Sequence, residues 1–170
     1  MKKENKINEI RIEKVTLSIG SGINEANNKK AITLLSTISG KKPVQSYAKK
    51  RIAQWKLRPG LPIGAKVTLR KDKALEVLGN LLKAVDNKIK RSKFTESGFS
   101  FGVPEYIDIP GVKYDPKIGI MGLAVMVTLE RIGFRIKRRK IEKKKLPKAV
   151  RITAEDAIKF ATEQLGVIIE

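Results

Sequence analysis

Two short stretches of this chain alternate apolar residues with groups that bind phosphate and sugar. In "VTLSIG", Val15, Leu17 and Ile19 alternate with Thr16 and Ser18; in "IGAKVTLR", Ile63, Ala65, Val67 and Leu69 alternate with Gly64, Lys66, Thr68 and Arg70. Strict alternation is the period of a half-buried strand, so each stretch has one apolar and one polar side. Hydroxyls that donate and accept, set beside cations, are the chemistry of a surface that meets a sugar–phosphate backbone. Such a surface suits RNA, whose wide minor groove displays 2′-hydroxyls and is recognised by shape more than by base edges.

A second group surrounds the single tryptophan. Trp55 lies among Lys49, Lys50, Arg51, Lys56 and Arg58. An indole there either stacks on a base while its neighbours hold phosphates, or packs in a core, and the sequence leaves both readings open. The turn that follows, "RPGLPIG", restricts the backbone at Pro59 and Pro62 and frees it at Gly60 and Gly64, which marks a protruding loop. Phe94, Phe99, Phe101 and Tyr106 read as sheet core, because no segment has the basic-Gly-aromatic pattern of an RNA-stacking strand. Lys88, Lys90, Arg91 and Lys93 lead into them as a candidate contact surface.

Catalytic readings fare worse. The chain has neither cysteine nor histidine, which removes thiolate and imidazole chemistry, disulfides and the usual zinc sites. Glu105, Asp108 and Asp115 are close in sequence, but their spacing fits no metal loop, and Pro110 and Gly111 fall between them. The glycines of "GSG" and "RPGLPIG" lack the fixed spacing of phosphate-binding loops. No cofactor is implied. The residues argue for binding rather than turnover; a metal-dependent RNA-processing enzyme built on those three carboxylates is the rival, and a general RNA chaperone without a fixed target is a third reading.

Charge supports binding. Of 170 residues 37 are basic and 17 acidic, a net charge of +20. Residues 41–71 hold ten cations and no acid, and residues 131–151 hold eleven cations and Glu142 alone; elsewhere the signs balance, 16 of each. Charge spread for solubility would not be gathered so, because gathering it adds self-repulsion, and two concentrated blocks predict a polyanion held against them. The opening "MKKENKINEIRIEKV" has no apolar h-region and no run reaches the roughly 18 apolar residues of a membrane span, so a cytoplasmic protein without a membrane partner is expected.

The elements that must position these residues can be read in outline. Ile10 and Ile12 have the opposite parity to Val15, Leu17 and Ile19, so a first strand reaching back that far needs a bulge near Glu13 and Lys14. "KKAITLLSTISG" predicts a helix with Ala31, Leu34, Leu35 and Ile38 on one face and Gly40 as C-cap. "PVQSYA" reads as a second strand and "IAQWKL" as a weak third. Asp72 is the expected N-cap of a helix whose stripe is Leu75, Leu78, Leu82 and Val85. After a long excursion over 87–115 with one or two strands, "GLAVMVTLERIGFRIKRRK" starts as a buried strand and ends as a cationic ribbon. Thr153 caps a last helix, with Glu155 and Asp156 in its first turn, Ile158, Ala161 and Leu165 inward, and Gly166 at its exit. The expected fold is α+β: one domain over 1–170, a curved, largely antiparallel sheet with helices on one face and an open polar face.

Five blocks in order, "EKVTLSIGSG", "TISGKKPVQSYAKK", "WKLRPGLPIGAKVTLR", "FSFGVPE" and "DIPGVKYDP", carry a resemblance. Across about Glu13 to Asp115 the chain resembles the large-ribosomal-subunit protein family that binds 5S ribosomal RNA, the fifth in the conventional large-subunit numbering. The resemblance implies a structural constituent of the large subunit, with 5S rRNA on the exposed sheet face through Ser18, Lys41 and Thr68, joined there by Thr16, Ser46, Lys66 and Arg70. Bacterial members carry Asn and Gln where this chain has Ser18 and Lys41. The loop from Arg51 to Pro62 would reach peptidyl-site tRNA, with Lys50, Arg51, Trp55, Lys56, Arg58 and Gly60 as its contacts. The excursion over 90–115 would meet a small-subunit head protein in an intersubunit bridge, and other 5S-associated ribosomal proteins are implied as neighbours. The chain lacks the N-terminal helical extension of bacterial members and adds the basic tract 131–151 and the helix 153–165, features of the archaeal and eukaryotic branch. Arg135, Lys137, Arg138, Arg139 and Lys140 of that tract are expected to make further large-subunit rRNA contacts.

Overall fold

A computed structural model describes residues 9–170; the opening run "MKKENKIN", part of the stretch read above as free of an h-region, lies outside the described residues. Alternation becomes structure in β1 (Ile10–Gly20), β2 (Val44–Tyr47) and β3 (Pro62–Leu69), followed by β4 (Lys88–Ile89), β5 (Phe94–Thr95), β6 (Gly98–Val103) and β7 (Leu123–Arg131). Six of these make one open antiparallel sheet in the order β2-β3-β1-β7-β6-β5. Val15, Leu17 and Ile19 of β1, Ala65, Val67 and Leu69 of β3, and Leu123, Val125, Val127 and Leu129 of β7 share one buried side. The phase change in β1 is real. The register against β7 shifts between Ile12 and Lys14, which turns Ile10 and Ile12 back to the core.

Helices cover that apolar side. α1 (Glu25–Ser39) starts earlier than its apolar pattern, because Asn24 accepts a hydrogen bond from the Ala26 N–H at 3.0 Å and caps it. It buries Ala31, Leu34 and Leu35 and ends at Gly40, whose left-handed backbone (φ 58°) suits glycine. α2 (Asp72–Lys83) differs from expectation twice. Lys71, not Asp72, is the residue at its cap, with no side-chain bond, and Asp72 opens the first turn, where its carboxylate faces the positive helix end. Its buried stripe is Ala74, Val77, Leu78, Leu81 and Leu82, whereas Leu75 is exposed.

The long excursion holds β4, β5 and β6, and its aromatic residues are core: Phe94, Phe99, Phe101 and Tyr106 are all buried. Phe94 and Phe99 have ring centroids 5.3 Å apart. The cationic ribbon expected after β7 is instead a turn and one helical turn, α3 (Arg135–Arg138). α4 (Ala154–Leu165) has the expected N-cap, Thr153, which forms a capping box with Asp156, and the expected exit at Gly166 (φ 65°). It buries Ala157, Phe160 and Ala161, with Ile158 and Leu165 at the margin, so its inward arc is turned from the one expected. β8 (Ile168–Ile169) pairs in parallel with β4.

Candidate nucleic-acid interface

The side of the sheet away from the helices is built from the polar parity of each strand. Register sets Thr16 opposite Thr68 and Ser18 opposite Lys66, and on the other flank Thr16 faces Met126 and Ser18 faces Ala124. Val44 lies opposite Lys66 and Ser46 opposite Gly64 on the edge strand. Lys66, Thr68 and Arg70 are exposed, and no helix covers Lys66 or Thr68. The rest of this side mixes small residues, Gly20, Gly64, Ala124 and Gly102, with the exposed apolar side chains of Met126 and Val44. A partner can therefore reach the backbone as well as the hydroxyls. Gly64 is also needed for pairing, since a Cβ there would run into the Ile19 carbonyl. Lys41 stands apart from this row, in the connection between α1 and β2, where its N–H donates to Ser39 Oγ at 3.2 Å.

The loop between β2 and β3 continues their hairpin. The Ala48 N–H donates to the Leu61 carbonyl (2.8 Å) and the Gly60 N–H to the Ala48 carbonyl (3.0 Å). Farther out, Ile52 and Leu57 exchange backbone bonds at 3.1 and 3.0 Å. "IAQWKL" is thus not a third strand: a 3-10 turn over Ala53–Trp55 closes at Lys56, which is left-handed at φ 51°. That turn is the tip, and "RPGLPIG" is the returning limb. Trp55 is 66 % exposed, which removes the core reading of its ring. Lys50, Arg51, Lys56, Arg58 and Gly60 are exposed around it.

Asn28, absent from the residues singled out by sequence, fixes the base of this hairpin. Buried in α1, it donates to the carbonyls of Pro62 (3.0 Å) and Gly22 (3.3 Å) and accepts from Ser21 Oγ (2.5 Å). Its polarity one turn before Ala31, on the apolar face of the helix, is the signal that could have found it.

At the far end of the sheet, two acidic residues gather cations from both basic stretches. Glu13, at the bulge, pairs through Oε1 with Arg70 (3.2 Å) and through Oε2 with Arg138 (2.5 Å). Glu130 pairs with Arg11 (2.7 Å) and Arg138 (3.3 Å). Both carboxylates are mostly shielded, 6 % and 13 % exposed, while the arginines remain largely open to solvent. Of the tract residues, Arg138 faces the sheet, Arg139 pairs with Glu142 at 3.7 Å, and Arg135, Lys137 and Lys140 are exposed. Glu105, Asp108 and Asp115 do not converge; Asp115 Oδ1 accepts from the Lys117 N–H at 2.9 Å, and among the described residues no three acidic groups form a metal cluster.

The family model for ribosomal protein L5 matches residues 5–58, and the model for the C-terminus of the same ribosomal family matches residues 62–160. The chain belongs to the ribosomal protein L5 family. The large ribosomal subunit protein uL5 of Nanoarchaeum equitans is 54% identical over 167 residues, covering 98% of this chain and 99% of that protein. The uL5 proteins of Archaeoglobus fulgidus and Sulfurisphaera tokodaii are 43% and 45% identical, each over 167 residues, covering 98% and 97% of this chain and 93% and 94% of theirs. This L5-family chain is a structural constituent of the large ribosomal subunit and not an enzyme. Among its described residues no helix is long and apolar enough to cross a membrane.

Proposed function

We propose that this protein holds 5S rRNA on the open side of its sheet and helps attach it to the large subunit. The observation that carries this reading is the helix-free row in which half-buried Thr16 and Ser18 of β1 stand in register with exposed Thr68 and Lys66 of β3. Hydroxyls in register across two strands fit a ribose-lined minor groove, and Lys66 and Arg70 supply charge for its phosphates. The hairpin tip with exposed Trp55 is the contact for peptidyl-site tRNA, where an aromatic ring among cations favours stacking. The excursion exposes Ile107 and Tyr114, apolar groups suited to a small-subunit protein across an intersubunit bridge.

Filter binding on isolated 5S rRNA tests the reading. Affinity should fall by about three to five decades between roughly 50 and 200 mM salt if about six to ten phosphates are neutralised. Lys66→Ala with Thr68→Ala should weaken 5S binding. Lys50→Ala, Arg51→Ala and Arg58→Ala should leave it nearly intact and lower tRNA occupancy of reconstituted particles. Equal losses of 5S affinity from both sets would end the division of labour, and unrelated structured RNAs competing as well as 5S rRNA would point to a general chaperone.

A further inference from the structure

The segment after β7 builds a cleft that the sheet-face reading leaves unused. Its cavity of about 650 Å³ has an apolar floor of Phe134, Leu146 and Ile152. Lys137, the three consecutive lysines 143 to 145 and Arg151 stand around it, with Glu96 as the one acid. The walls are held in place by hydrogen bonds, most of them from arginine side chains. Arg151 Nε donates to the Leu146 carbonyl (3.2 Å), Arg131 donates to the Arg151 carbonyl (3.2 Å) and to Asp156 Oδ2 (3.0 Å), and the Lys144 N–H donates to the Ile136 carbonyl (3.4 Å). Leu146 and Ile152 are buried and Phe134 is half-buried, so a ring face remains within reach.

Size, charge and position select the occupant. The volume lies within the roughly 300–1,000 Å³ of sites that take a small molecule, enough for one unstacked nucleotide and far too little for a duplex. Five cations against one carboxylate call for an anion, and flexible ammonium groups suit phosphates whose spacing varies along a single strand. An aromatic floor under a cationic rim is the arrangement on which single-stranded bases stack. Phe134 also lines the neighbouring smaller cavity with Arg11, Glu130 and Arg138 at the end of the sheet, so the two cavities share one aromatic side chain. A strand leaving that side would pass Arg11, Arg135 and Arg138, with Glu130 as the one acid lining that cavity.

We infer that this cleft holds a single unstacked RNA nucleotide, its base against Phe134 and its flanking phosphates on Lys137 and lysines 143 to 145. The inference rests on the reading of the sheet as an RNA surface and adds a single-strand site beside it.

Fluorescence anisotropy of the full chain with an oligouridylate of about ten nucleotides, a length within known single-strand site sizes, tests it. The base-bearing strand should bind about tenfold more tightly than an abasic strand of equal length. The triple variant K143Q/K144Q/K145Q should weaken oligouridylate binding and lower the slope of log affinity against log salt by about two. Phe134→Leu should erase most of the preference for bases. Equal binding of abasic and base-bearing strands, wild-type affinity in the triple variant, or a full preference kept in folded Phe134→Leu would each overturn the inference. So would displacement of the probe by polyglutamate as readily as by oligouridylate, which would assign the cleft to an acidic protein segment. If thermal melting shows Phe134→Leu unfolded, the triple variant decides. The same variants titrated with 5S rRNA keep the two readings apart, since a failure of the sheet surface appears there as insensitivity to Lys66→Ala and Thr68→Ala.

Discussion

Arg70 and Arg138, one from each basic stretch, pair with the same carboxylate, that of Glu13, at 3.2 and 2.5 Å. The two cationic blocks are therefore one surface, joined at the bulge of β1. Like charges 68 positions apart in sequence repel unless something between them is negative, and Glu13 with Glu130 supplies it.

Glu13→Gln should weaken 5S binding although it removes a negative charge from an RNA-facing surface. Without that carboxylate Arg138 loses its strongest tie to the sheet, and α3 no longer aligns the second block with the first. Competition binding should show several-fold lower affinity for 5S rRNA and unchanged or higher affinity for random RNA. Stability should fall by about 1–2 kcal/mol, the low end for hydrogen bonds to charged groups because the arginines are open to solvent, read from urea unfolding. Glu13→Asp should restore part of both.

Asp156 carries an acid-side stability term. Burial works to raise its carboxyl, but hydrogen bonds from Thr153, together with Arg131 and Lys159 nearby, outweigh this and hold it below its usual range. A carboxyl lowered on folding contributes stability that is present above the unfolded value of 3.8 and is lost as pH falls through the lower folded value. Asp156→Asn should cost about 1 kcal/mol near neutrality through the weakened capping box. It should also flatten the melting temperature between about pH 5 and 2 relative to wild type.

Asn28→Ala should destabilise by about 1–3 kcal/mol, because the carbonyls of Pro62 and Gly22 lose the part-buried bonds donated by a buried amide. Proteolysis should then cut the hairpin over 48–61 faster than in wild type, while cleavage in the excursion is unchanged.

Trp55→Ala should leave the free energy of urea unfolding within about 0.5 kcal/mol of wild type, since a ring this exposed contributes little packing. Its effect should appear only in tRNA occupancy.

Parity is the most legible feature of the sequence. It sets the polar and apolar sides of β1 and β3, and the mismatch at Ile10 and Ile12 marks the bulge. The stripe of α2 is hard to place from sequence for a simple reason: apolar residues occupy two overlapping arcs, and Ala74, small and easily ignored, marks the buried one while Leu75 faces water. Glu13 is invisible as a site residue because its meaning depends on register and on a tract more than a hundred residues away. Trp55 is undecidable without the 3-10 turn at the hairpin tip, which determines which way the chain folds back.

The hairpin over 48–61 is a continuation of β2 and β3 and not a flap hung from them. Backbone hydrogen bonds run from its turn to the strand that carries Lys66 and Thr68, with Asn28 as a fulcrum at the base. The exposed ring of Trp55 is thereby joined to β3 through hydrogen-bonded backbone rather than through a slack linker, so the tip and the polar side of the sheet belong to one continuous arm.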